Sequence, residues 1–233
     1  VLNVLAFGAH PDDVELFCAG TLIKMSRQGH KTAIADLTAG ELGSRGNAET
    51  RKKEAEEAAR LLGLSFRENL GLRDGHVADD EASRKLVVEA IRRHKPQIVL
   101  APFNLDRHPD HEAASRLVTS AHFFSGVHGY KTESPAYRPP ALVYYFHHHV
   151  EKPSFIIDIS DCFEAKMQAI RAYKSQFHDP QSKEPQTYIS RPEFLQSVEI
   201  RARHFGFQIG VEYAEPFFVK SAIKIDNLLH IVA

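Results

Sequence analysis

Four times in the first half of the chain a short apolar run is followed by a stretch of helical periodicity. No other property of the sequence limits the fold as much. Leu2–Gly8 is continuous and apolar, as a strand covered on both faces would be. Val14–Gln28 follows, with Leu16, Ala19, Leu22 and Ile23 at helical spacing and Gly29 to close it. Lys31–Leu37, Leu64–Leu70 and Gln97–Ala101 read as the next three strands, and Arg51–Leu62, Ser83–His94 and Glu112–Phe124 as the helices after them. Strand and crossover helix in alternation predict an α/β fold, a doubly wound and mostly parallel sheet. After Gly126 the order changes. A proline-rich connection leads to strands Ala141–Phe146 and Ser154–Ile159, a helix over Ser160–Phe177, a polar loop, a last long helix over Pro192–Gly206 and a short remainder. No repeat, low-complexity tract or linker interrupts the chain. The expectation is one domain over 1–233, with a C-terminal α/β elaboration.

In an open parallel sheet the carboxyl ends of the strands form one edge, where sites assemble. Two clusters fall on that edge here. The first is Gly8-Ala9-His10-Pro11-Asp12-Asp13-Val14-Glu15, and the second Asp106-Arg107-His108-Pro109-Asp110-His111. Imidazoles and carboxylates stiffened by proline suit a metal site with nitrogen and oxygen ligands. Hydrolysis at such a site needs three protein ligands, an open position for water and a base to take the proton of that water. His10, Asp12, Asp13, His108, Asp110 and His111 contain that inventory. Spacing alone does not tell which aspartate of the Asp12–Asp13 pair ligates and which acts as base.

The other properties mainly exclude. The 233 residues carry a net charge of −1, which gives no field directed at nucleic acid or a membrane surface. No apolar run is long enough to span a bilayer. The first residues read directly as a strand, without the segments of a signal peptide. The two cysteines, Cys18 and Cys162, belong to no Cys-x-x-Cys pair and read as buried thiols of a cytoplasmic protein.

The paired motifs resemble the PIG-L/LmbE-like family of zinc-dependent N-acetylsugar deacetylases. The likeness extends through Asp36-Leu37-Thr38-Ala39-Gly40-Glu41 to Arg51, then through Tyr173-Lys174-Ser175-Gln176-Phe177 and Gly210–Phe217. The last two stretches look like the bacillithiol-biosynthesis branch, which deacetylates N-acetylglucosaminyl-malate. The resemblance implies a Rossmann-like sheet and hydrolysis of the acetamide of an N-acetylglucosamine conjugate, with release of acetate. It implies one Zn2+ per chain, replaceable by other divalent metals, held by His10, Asp13 and His111. Asp12 would be the general base, and His108, oriented by Asp110, would face the oxyanion and the leaving amine. A hexamer is expected on the same ground. The family's oxyanion-assisting tyrosine has no clear counterpart, and Tyr188 is a weak candidate.

Arg51 and Arg107 stand on or beside the two loops, where a guanidinium fork could bind an acidic aglycone. Arg45 reads as a solvated surface arginine. Of His147-His148-His149, at most two could share a ligand, because neighbours on a strand point to opposite faces; one is expected to line the site, and a metal cluster is not expected. Two other substrate classes stay open, a chitooligosaccharide end and a mycothiol-type precursor. A non-catalytic nucleotide-binding module is a further alternative, disfavoured because no glycine fingerprint follows the first strand.

Overall fold

The computed structural model describes residues 1–227, so the last six residues of the expected 1–233 domain lie outside it. Among the described residues the chain forms strands β1 (Val4–Gly8), β2 (Thr32–Thr38), β3 (Phe66–Leu72), β4 (Ile98–Pro102), β5 (Ala141–Tyr145), β6 (Phe155–Asp158) and β7 (Ala214–Phe218). Its helices are α1 (Asp13–Arg27), α2 (Ala48–Leu62), α3 (Glu81–His94), α4 (Pro109–Ser125), α5 (Phe163–Arg171) and α6 (Phe194–Ile209). The strands make one sheet in the order β3-β2-β1-β4-β5-β7-β6. The first five in that order are mutually parallel, while β7 runs antiparallel to both β5 and β6. The α/β doubly wound expectation therefore holds, with β6 and β7 as the C-terminal elaboration.

Alternate residues of the central strands feed two cores. Val4 and Ala6 of β1 join Ile34, Leu100 and Tyr145 on the face covered by α1, α2, α5 and α6. Leu5 and Phe7 join Ala33, Ala35, Leu37, Val99 and Tyr144 on the face covered by α3 and α4. Covering both faces is what turns each central strand into an unbroken apolar run. β1 and β4 lie side by side where the winding reverses, so the β1–α1 and β4–α4 loops flank the crevice at which open α/β sheets bind ligands.

Two sequence expectations need correction. The helix expected over Ser160–Phe177 is shorter, Phe163–Arg171. Beyond it Tyr173 gives its hydroxyl to Glu15 at 3.0 Å, and the Ser175 N–H goes to Glu54 at 2.7 Å, so side-chain partners on α1 and α2 draw the chain out of the helix. Strand β7 was read as part of a short remainder. Its sequence Ala-Glu-Pro-Phe-Phe has a proline and no alternation, and pairing with β5 and β6 overrides both.

Candidate metal and catalytic site

Both motif loops open onto a cavity of about 430 Å³ lined by His10, Asp12, Asp13, Arg51, His108 and His111 among others. The β1–α1 loop turns sharply. Asp12 has φ 116°, a left-handed value that a residue with a β-carbon adopts only where its surroundings enforce it. Asp13 is the first residue of α1, and its Oδ2 accepts the His10 N–H at 2.8 Å, which closes the loop on itself. On the second loop Pro109 opens α4, where a missing N–H costs nothing. His108 is the N-cap, and its Nδ1 accepts the Asp110 N–H at 3.2 Å. A neutral His108 therefore carries its proton on Nε2.

Asp13 is the centre of the arrangement. His111 Nε2 lies 3.1 Å from its Oδ1, and His10 Nδ1 lies 3.5 Å from its Oδ2. The other nitrogen of each ring is held by a carboxylate. His111 Nδ1 donates to Asp106 at 2.8 Å, and His10 Nε2 meets Asp74 at 3.1 Å and Asp110 at 3.5 Å. Carboxylates behind imidazoles in this way fix tautomer and ring angle at metal centres, and they leave the inward nitrogens as donors. Asp12, Asp13, Asp74, Asp106 and Asp110 are all buried here. These buried carboxylates and the imidazoles between them are donors of the kind a divalent cation takes. One donor atom from each of His10, His108 and His111 also falls within 4.8 Å of the other two. The expected ligands His10 and His111 both lie against Asp13, at 3.5 and 3.1 Å.

The electrostatics follow from this crowding. Burial pushes the Asp12 carboxyl up to about 7, against the opposing pull of Arg51. Burial would do the same to Asp13, but His111 and His10 outweigh it and hold Asp13 well below the carboxylate range. Burial, together with the neighbouring His10 and His111, lowers His108.

Three expected roles change. Asp110 does not orient His108 through its carboxylate, which accepts from Gly75 N–H at 2.7 Å and faces His10; the contact to His108 runs through the Asp110 backbone. Arg51 is buried, with Nη2 on Asp12 at 2.8 Å and on the Pro11 carbonyl at 2.5 Å, so its fork is engaged with the motif loop, while its buried Nε lacks a partner. Arg45 is not solvated surface. It is buried and donates to the carbonyls of Ser175, Pro185 and Phe177. Arg107 is exposed at the mouth, its guanidinium 3.9 Å above the Tyr188 ring. Tyr188 also lines the cavity.

Sequence reasoning missed Asp74 and gave Asp106 no role. Asp74 stands two residues beyond the third strand, so its position near an edge-facing strand end was the available signal. Asp106 binds His111, the His108 N–H at 3.0 Å and the His148 N–H at 2.9 Å. Two of the three consecutive histidines, His147 and His148, come to the site, because the chain leaves the strand at Tyr145 and strict alternation no longer applies.

Comparison with known proteins places these features. The family model described as PIG-L, GlcNAc-PI de-N-acetylase, matches residues 5–122. Diacetylchitobiose deacetylase of Thermococcus kodakarensis is 30% identical over 230 residues, 92% of this chain and 82% of that protein. A probable N-acetyl-alpha-D-glucosaminyl L-malate deacetylase 2 of Bacillus subtilis is 27% identical, over 75% of this chain and 83% of that protein. The crystal structure of a conserved protein from Thermus thermophilus superposes with a TM-score of 0.89 at 40% identity, covering 97% of each chain. The 4-carboxy-2-hydroxymuconate hydratase of Pseudomonas putida superposes with a TM-score of 0.80 at 22% identity, over 98% of this chain and all of that one. At that identity the likeness is one of fold alone.

Proposed function

The chain belongs to the PIG-L family, and on that premise we propose that it is a metal-dependent deacetylase that hydrolyses the acetamide of an N-acetylated sugar. The supporting observation is the pair of imidazoles around Asp13, each with its outward nitrogen on a carboxylate, beside a buried Asp12 that lines the same cavity. His10, Asp13 and His111 would hold the ion. A divalent cation there would polarise the amide carbonyl and make a water acidic enough to attack it near neutral pH. Asp12 takes the proton from the attacking water. Its raised pKa matches that task, because a base works best when its pKa lies near the operating pH. Arg51 holds Oδ2 of Asp12 and leaves Oδ1 for the proton. His108, with Nδ1 committed to the Asp110 N–H, presents Nε2–H to the developing oxyanion and to the leaving amine.

For the finer substrate we favour an N-acetylglucosamine conjugate with an acidic aglycone, as in N-acetylglucosaminyl-malate. Arg107 at the mouth supports it, since a guanidinium there can take a carboxylate in paired, charge-assisted hydrogen bonds. The similarity to the Bacillus subtilis protein points the same way. A chitooligosaccharide end is the second reading, favoured by the Thermococcus kodakarensis protein, whose match covers more of the chain. The branch-like stretches do not separate the two. Tyr173, Ser175 and Glu215 bind Glu15, Glu54 and α1, while Gln176 of the first stretch lines the cavity and gives its amide to the Arg45 carbonyl. Acetate release should be measured on free N-acetylglucosamine, its malate conjugate and diacetylchitobiose, before and after metal stripping. Stripped and restored activity on at least one substrate is expected. Full activity in a metal-free preparation would overturn the proposal.

A further inference from the structure

His147 lies outside the two paired motifs, and its environment is unusual. Its side chain is fully buried, and neither Nδ1 nor Nε2 has a hydrogen-bond partner. Burying an imidazole and leaving both nitrogens unpaired is costly, so a structure that keeps one commonly has a use for it. The walls around the ring are mostly aromatic. Phe17 meets it edge-on at 4.8 Å, Tyr145 lies at 5.0 Å, and His111 stacks on it at 3.9 Å. The exception is Asp13, whose Oδ1 lies 3.8 Å from His147 Nε2, too far for a hydrogen bond. That same oxygen faces His111 Nε2 at 3.1 Å. The backbone here is fixed, because Arg201 donates to the His147 and Phe146 carbonyls at 2.5 and 2.9 Å.

We propose that His147 supplies a further nitrogen to the cation held by Asp13 and His111, beside the position that hydrolysis leaves open for water. The proposal rests on the reading of His10, Asp13 and His111 as a metal centre. Carboxylate and imidazole donors lie about 2.0–2.2 Å from a zinc-sized ion, so two donors sharing it sit roughly 3–4 Å apart. The spacing of His147 from Asp13 is of that size. One donor atom from each of Asp13, His111 and His147 falls within 4.8 Å of the other two, and all three residues are buried. The rings of His111 and His147 are nearly parallel, at 16°, so His147 has to turn about its Cβ–Cγ bond to bring its lone pair onto a shared ion. That turn breaks no hydrogen bond, since neither nitrogen makes one.

The test is a titration of metal-stripped protein with Co2+, followed by its visible absorption, and with Zn2+ against a chromophoric chelator. Wild type is compared with His147→Phe, which keeps a stacking ring and removes both nitrogens. The expected result is one ion per chain in both, at least about tenfold weaker in the variant, with a changed Co2+ band. The thermal midpoint of the metal-free variant should not fall, because its orphaned nitrogens are gone. If the larger ring prevents folding, His147→Leu takes its place. Equal affinity and an unchanged Co2+ spectrum in the variant that folds would overturn the role of His147 and leave the metal centre standing. Absence of any stoichiometric ion in wild type would instead overturn the metal centre itself.

Discussion

Asp12 and Asp13 are adjacent and chemically identical, and the fold assigns them opposite environments. Asp13 sits between two imidazoles and stays ionised, whereas Asp12 is buried beside Arg51 with its carboxyl pushed up to about 7. Asp12→Asn should therefore keep its metal and lose about 10²–10⁴ in turnover, the usual loss for a general base. Asp13→Asn should lose metal first; elemental analysis beside initial rates separates the two, and the reverse pattern would exchange their roles. The arginines divide in a similar way. Arg51 holds Asp12 and the motif backbone, so Arg51→Ala should slow acidic and neutral substrates alike. Arg107 touches neither, and Arg107→Ala should cost about tenfold in kcat/KM on the malate conjugate with little change on free N-acetylglucosamine. Equal losses for Arg107→Ala would remove it from the aglycone site.

At the scale of elements, the positions nearest the sheet were legible and the contacts between distant segments were not. Apolar runs placed β1, β2 and β4, and the two proline-stiffened motifs marked the loops beyond β1 and β4, because strand burial and helix starts are written in neighbouring residues. Asp74 escaped, and Asp106 was given no role, since their roles depend on what lies opposite them across the crevice. Gly40 shows how far such effects reach. At φ 65° it packs against Arg51, where an added Cβ would stand 2.6 Å from Nη1. Gly40→Ala should cost about 1–2 kcal/mol from the left-handed backbone alone. It should also displace the partner of Asp12, so that kcat falls further than the fraction folded; denaturant titration beside kinetics reads both. Glu215 on β7 accepts from the Gly20 and Thr21 N–H groups of α1 and from the buried ammonium of Lys166 at 2.8 Å. Glu215→Ala strands that charge and should cost about 3–5 kcal/mol in urea unfolding.

Taken whole, the molecule gathers five buried carboxylates from three strand-end loops into one crevice, a load that a bound cation would relieve. Metal should therefore act on the entire fold. At a free concentration one hundred times its dissociation constant, an ion bound to the native state alone adds about 2.7 kcal/mol. For a chain of this size that corresponds to a rise of roughly 5–10 °C in Tm. Scanning calorimetry of stripped and reloaded protein should show the rise, and an unchanged Tm would mean that the carboxylates are neutralised in another way. The reach of Glu215 has a consequence in time as well as in space. Every side chain proposed to hold the metal has been synthesised by residue 147, yet the helix that begins at Asp13 gains one of its buried anchors only when residue 215 has left the ribosome. A nascent chain halted between those points carries all the ligands, one of them, Asp13, on a helix that still lacks its Glu215 anchor. Ion capture during synthesis should then lag behind the appearance of the motifs, and arrested chains of increasing length should gain metal affinity in a late step near the emergence of β7.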